Sequence, residues 1–208
     1  DPRPGETISA HSIFWHNILK LVQTWYFVQA SPNDPRANKL PLPDDLIGRL
    51  VEYVSAHEVG HTLGLQHNFK ASSSYTIAQL RDPKFTAEWG VEASIMDYGR
   101  FNYVAQPGDG AALVPVLGPY DLFAIEWGYK PLPGLSAEDD KAELDRIAAR
   151  QVDNPMLRFG NSRREDPTQQ TEDLGNDPIE ATRLGLFNIG RVAKSIVAAT
   201  TQPGEGYS

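Results

Sequence analysis

Residues 57–68 read His-Glu-Val-Gly-His-Thr-Leu-Gly-Leu-Gln-His-Asn and hold three of the chain's five histidines. His57 and His61 are four apart, so on a helix they lie one turn apart on one face, where two imidazoles can bind one metal ion. Glu58 sits about 100° further round the helix. That makes it a poor third ligand, but it can reach a water on the metal. Gly64 can end the helix with a left-handed residue. The returning chain can then bring His67 to the same ion. Three protein ligands with one open position is the pattern of a catalytic zinc site, not a structural one.

Upstream, Asp44 and Asp45 suit a helix N-terminus by capping and by the dipole, which predicts a helix from there to about Leu63. Ile47, Leu50, Val54, His57 and His61 fall at steps of three and four. The metal pair therefore continues the core-facing stripe, and a packed helix fixes its ligands in place. Gly48 and Gly60 each weaken the helix by up to about 1 kcal/mol relative to alanine. Close packing against another backbone is the expected compensation. Before this helix comes a proline-stiffened loop, 31–43. A helix is predicted over 12–30, with apolar residues almost all round it, and a short extended piece over 6–10. His11 and His16 do not share a face and read as capping or packing residues.

Downstream, a short helix is expected over Thr76–Arg81, closed by Asp82-Pro83. Ser94-Ile95-Met96-Asp97-Tyr98-Gly99-Arg100 is the second informative stretch. Helices follow at about 120–127, 137–152 and 179–199, with a linker at 131–136. Glu172–Pro178 reads as an acidic cap for the last helix rather than a calcium loop. Strand signal is weak, so the fold class is α+β but mainly helical as given. One unit, 1–208, is expected, with 1–68 carrying the active-site helix and 69–208 forming a second subdomain.

Composition narrows the function. The 208 residues are 40% hydrophobic and 22% charged, ordinary for a globular chain that can bury a core. Net charge is −8 and the sole basic cluster is Arg163-Arg164, which argues against a nucleic-acid partner. The chain has no cysteine, which excludes disulfide scaffolds and thiol catalysis. The best candidate for a membrane span, 13–30, is interrupted by His16, Asn17, Lys20, Gln23 and Thr24. The abrupt start and the lack of a leader segment predict a piece of a longer protein, with further domains as partners. Localisation is unreadable from the chain.

The chemistry follows from the parts. Zinc on three neutral imidazoles lowers the pKa of its bound water to about 7. Glu58 takes the proton from that water as it attacks a carbonyl, then passes it to the leaving amine. Zinc stabilises the developing oxyanion. The expected function is zinc-dependent endopeptidase, acting on a peptide or protein substrate. Two alternatives stay open: an inactive metal-binding scaffold or interaction module, and a zinc hydrolase of a non-peptide amide.

The extended histidine motif, followed some thirty residues later by Ser-Ile-Met96-Asp-Tyr98, resembles the metzincin zinc endopeptidases. The resemblance implies Zn²⁺ on His57, His61 and His67, and Met96 in a tight "Met-turn" as a hydrophobic floor beneath the metal. It implies catalytic roles for Glu58 and for Tyr98, which in some branches reaches the zinc or the tetrahedral intermediate. Asn68 departs from the better-known branches. It reads either as a residue orienting a ligand histidine or as a polar turn residue. Asp97 and Asp109 read as turn and surface carboxylates. Residues 101–109 and 172–178 are similar to a bacterial group of multi-domain met-zincin peptidases, which implies a secreted or cell-envelope (periplasmic or lipid-anchored) location. The family's N-terminal sheet is expected to be largely absent, with 6–10 a remnant, which leaves open whether this piece alone is active.

Overall fold

The computed structural model describes residues 6–132, 136–161 and 165–201, together with Arg3 and Gly204. Among them the regular elements are all helices. Residues 6–10, expected to be a short extended piece, have no regular structure and join no ladder among the described residues. The mainly helical part of the expectation is met; its β part has no strand here. Arg163-Arg164 lies outside the described residues.

Helix α1 spans Ile18–Ala30 and begins six residues later than predicted. Ile13 and Trp15 are each 77% exposed on the segment before it. The reason is burial: α1 packs on two other helices with Val22, Tyr26, Phe27 and Ala30 buried and Ile18 and Trp25 at the edge, all of them from residue 18 onward. A further turn at 12–17 would bury nothing, and its β-branched and aromatic residues form helix poorly without that support. His11 and His16 are exposed there rather than packed.

Helix α2 spans Asp44–Thr62 and starts at the expected aspartates. Its most buried residues are Leu46, Leu50, Tyr53, His57 and Gly60. That stripe keeps Leu50 and His57 of the expected one but takes Leu46, Tyr53 and Gly60 in place of their neighbours Ile47, Val54 and His61, which sit half-buried at its edge. Aromatic packing sets the rotation: the Phe101 ring meets Tyr26 at 5.0 Å and Tyr53 at 5.9 Å. The two helix glycines differ. A Cβ on Gly60 would lie 2.3 Å from Met96 Sδ, so a side chain, not a backbone, fills that space. A Cβ on Gly48 would meet nothing within 4 Å, so the expected compensation is missing there.

Two short helices follow, α3 at Ile77–Leu80 and α4 at Pro83–Trp89. The sequence reading closed the helix at Asp82-Pro83 and missed the second. The Asp82 carboxylate accepts the Lys84 N–H at 2.8 Å, and Pro83 takes the first position, where its missing N–H costs nothing. The same pair that stops one helix thus starts the next. Helices α5 (Pro119–Tyr129), α6 (Ala137–Asp153) and α7 (Pro178–Thr200) lie where expected. Asp177 caps α7 by accepting from Ile179 N and Glu180 N, as the acidic run predicted. No described helix is long and apolar enough to cross a membrane.

Two apolar clusters organise the chain. One joins α1, α2 and residues 95–101. The other joins 71–93, Val104 and α7. Between them runs a loop, 90–97, in which every residue is buried although none is in a helix. Loops rarely run inside a protein, because their backbone polar groups then need partners.

Candidate metal centre

The end of α2 forms the site. Gly64 has φ +88°, the left-handed conformation expected of it. Leu65 N donates to Gly60 O and Gly64 N to His61 O, both at 3.0 Å, the paired bonds of a Schellman motif. The same turn serves the ligand set twice. It sends the chain back so that His67 Nε2 comes within 3.1 Å of His61 Nε2. It also aims the Leu65 carbonyl at His61 Nδ1, 2.9 Å away.

A carbonyl only accepts, so His61 carries its proton on Nδ1 and presents a lone pair at Nε2. His57 does the same: its Nδ1 donates to the Ile95 carbonyl at 2.7 Å. Its Nε2 is buried and has no hydrogen-bond partner. One ligand atom from each of His57, His61 and His67 fits within 4.8 Å of the others. A buried, unpartnered imidazole nitrogen is costly unless something coordinates it. A cation bound by neutral nitrogen satisfies all three. Burial lowers the pKa of His57, against the opposing pull of its Ile95 bond, and burial with the neighbouring imidazoles lowers that of His67. Both shifts keep the lone pairs available.

The buried loop closes the site from beneath. Each N–H from 95 to 99 has an acceptor. Ile95 N reaches Asp121 Oδ2 at 2.8 Å, and Met96 N reaches Ser94 Oγ at 3.1 Å. Asp97 N reaches Ser94 O at 3.3 Å. Tyr98 N reaches Asp97 Oδ1 at 2.6 Å, and Gly99 N reaches Glu92 Oε2 at 3.1 Å. Three buried carboxylates therefore hold the loop. Asp97 is fully buried and accepts from Ser72 N as well, so it is no surface carboxylate. Asp109 pairs with Arg81 at 2.7 Å, well away from the histidines. Met96 is fully buried against Gly60, between the two α2 histidines along the helix.

Tyr98 faces the imidazoles. Its ring stacks on His57 at 5.4 Å and lies 4.5 Å from His67. Burial, then the Glu58 charge, raises its pKa, so the phenol stays protonated at neutral pH. Glu58 and Tyr98 share a cleft of about 250 Å³ with His57, Ile18, Trp25, Tyr53, Val54 and Arg100. The guanidinium of Arg100 lies 3.7 Å from the Trp25 ring centre and pairs with Glu172. Arg100 and Glu172 are non-glycine residues at φ 60° and 68°. Such conformations persist where the surroundings over-determine them.

Every site residue named from the sequence lies in this one region. Asn68 is the exception in role: its side chain takes Gly160 N at 2.9 Å and donates to Arg158 O at 3.0 Å. It ties the third histidine's loop to 158–160 and bonds no histidine. Sequence reading missed Asp121, Trp25 and the two carbonyls that orient His57 and His61. Carbonyls leave no mark in a sequence, and Asp121 read only as an early residue of a short helix.

The profile of the Met-zincin family matches residues 39–208, which takes in the three histidines, the loop at 90–99 and the helices after it. The chain has no significant match among curated proteins or among solved structures. With the histidine cluster and the profile in agreement, the chain belongs to the Met-zincin family of metzincin-type zinc metallopeptidases.

Proposed function

We propose that this chain is a zinc-dependent endopeptidase core, with His57, His61 and His67 holding the metal through their Nε2 atoms. The observation that carries this is the buried, unpartnered Nε2 of His57 beside the 3.1 Å pair of His61 and His67. Zinc held there supplies Lewis acidity for a scissile carbonyl and a water with a pKa of about 7. Glu58, on the wall of the same cleft, takes the proton from the attacking water and delivers it to the departing amine. Tyr98 keeps its proton and donates a hydrogen bond to the carbonyl oxygen as negative charge develops there. Ile18, Trp25 and Val54 keep water from the rest of the cleft. Met96, in its tight turn, is the apolar floor under the ligands. Residues 1–208 are a fragment of one catalytic domain, in which 1–68 brings the ligand helix and 69–208 the floor and its supports.

Metal analysis and a peptidase assay test the reading. Reconstituted at neutral pH, the chain takes up one zinc, loses it to acid as the ligands protonate, and hydrolyses a denatured protein. Glu58→Gln keeps the zinc and loses the hydrolysis. A chain that takes up no zinc, or a Glu58→Gln variant as fast as the parent, overturns the assignment.

A further inference from the structure

Asp121 is 3% exposed, at the start of α5, and accepts three hydrogen bonds. Ser94 Oγ reaches its Oδ1 at 2.6 Å; Ile95 N and Gly118 N reach its Oδ2 at 2.8 and 2.7 Å. All three partners are donors, so the side chain acts as a carboxylate, and charged acceptors make the stronger bonds. Two of the donors belong to the loop under the histidines. The third belongs to the backbone that enters α5. That entry is itself pressed on the loop: Tyr120 N donates to Ala93 O at 2.9 Å, and a Cβ on Gly118 would lie 2.2 Å from the same oxygen. Ile95 is therefore held by its N–H on a buried anion, while its C=O takes the Nδ1 proton of His57 at 2.7 Å.

We infer that Asp121 is the positioning residue for His57: by pinning Ile95 from below, it fixes the carbonyl that sets the tautomer and ring orientation of the first histidine. Asp97 is a matched contrast in the same loop. It too is buried and accepts two backbone N–H groups, Ser72 and Tyr98 at 2.6 Å each, but neither residue hydrogen-bonds a histidine; Tyr98 meets His57 and His67 by its ring alone. Asparagine at 97 must put its NH₂ against a backbone donor, because each oxygen of Asp97 takes one. Asparagine at 121 can turn its NH₂ on Ser94 Oγ and leaves Ile95 N and Gly118 N on a neutral amide oxygen in place of a carboxylate, so both substitutions weaken the hold on the loop. Only the one at 121 loosens the end that orients His57. The Ile95 carbonyl is the partner one shell out from the ligand; such a partner is worth about 10- to 100-fold in metal affinity, and Asp121 acts through it.

The test compares Asp121→Asn with Asp97→Asn in the full chain by two readouts. The first is the ¹⁵N spectrum of His57 in the metal-free protein. The second is zinc affinity by competition with a chelator. Asp121→Asn is expected to turn the single Nδ1–H tautomer of His57 into a mixture and to weaken zinc about 10- to 100-fold. Asp97→Asn keeps the tautomer and holds affinity within about threefold. Ser94→Ala, which removes one donor from Asp121 and the acceptor of Met96 N but leaves Ile95 N on Asp121, shifts both readouts less and in the same direction, and serves if Asp121→Asn does not fold. Equal zinc losses in the two asparagine variants, or an unchanged His57 spectrum in both Asp121→Asn and Ser94→Ala, overturn the inference. The zinc arm rests on the proposed metal role. The tautomer arm does not, so a chain that binds no zinc sinks that role while His57 still reports on Asp121.

Discussion

Helix α2 and the buried loop at 90–99 act on the same imidazoles from two sides, by different physics. The helix needs nothing from outside to satisfy its backbone, so its period alone places His57, Gly60 and His61. The loop has no period. Its N–H groups are satisfied one at a time by Asp121, Ser94, Asp97 and Glu92. In the proposed site the helix contributes two imidazoles, and the loop contributes the carbonyl that bonds one of them and the Met96 side chain packed on Gly60. Regular structure presents chemistry cheaply. An irregular buried segment can do so only with charged or polar acceptors brought from elsewhere in the chain.

Four substitutions test that division, beyond the pair at 121 and 97. The largest effect is on chemistry: Glu58→Gln should lower peptide hydrolysis by about 10²- to 10⁴-fold while leaving zinc content and melting temperature unchanged. A loss of stability of similar size would mean that Glu58 supports the helix instead.

Breaking the loop side comes next. Gly118→Ala puts a Cβ on the Ala93 carbonyl, a backbone atom that cannot swing away. It should cost about 3 kcal/mol in denaturant unfolding. A near-neutral result would show that the α5 entry does not press on the loop. At the helix end, Gly64→Ala meets a φ of +88° and should cost about 1–2 kcal/mol. It should also weaken zinc, since the same turn returns His67. Gly48→Ala has the opposite sign. With open space around its Cβ, it should stabilise by about 0.5–1 kcal/mol and leave zinc affinity alone.

The loop also has a pH signature, opposite in sign to that of His57 on the helix, whose pKa burial lowers. Burial raises the Asp97 pKa from 3.8 to about 7. The native chain then keeps a proton that the unfolded chain has lost. That contribution is full below about pH 4 and drains away as pH climbs through 7. Burial lifts Glu92 in the same direction. The melting temperature should therefore fall more between pH 4 and 7 in the parent than in Asp97→Asn, where the group cannot titrate. Parallel curves would mean that Asp97 is ionised throughout, held by its two N–H donors.

The legible part of this protein was local. The histidine spacing, the left-handed glycine at 64 and the acidic cap at 177 are short-range patterns, and the structure has each where the residues put it. Met96 and Tyr98 came from a motif, and in the structure they lie against Gly60 and His57. Helix ends were read well where a cap marks them. They were misread at 12–17, where apolar residues without a packing partner do not make a helix.

What tertiary structure alone decided was the support. Which edge of the α2 stripe is buried deepest goes with Phe101 packing between Tyr26 and Tyr53. The clamp of Asn68 on 158–160 spans some ninety residues. Asp121 meets Ile95 across 26 residues and an intervening loop. The sequence by itself determined which residues could bind a metal, because a helix and a glycine turn place them through local geometry. It could not say which buried anion holds the loop beneath them. That depends on which distant segment comes to rest there, and a single chain of letters does not order its long-range contacts.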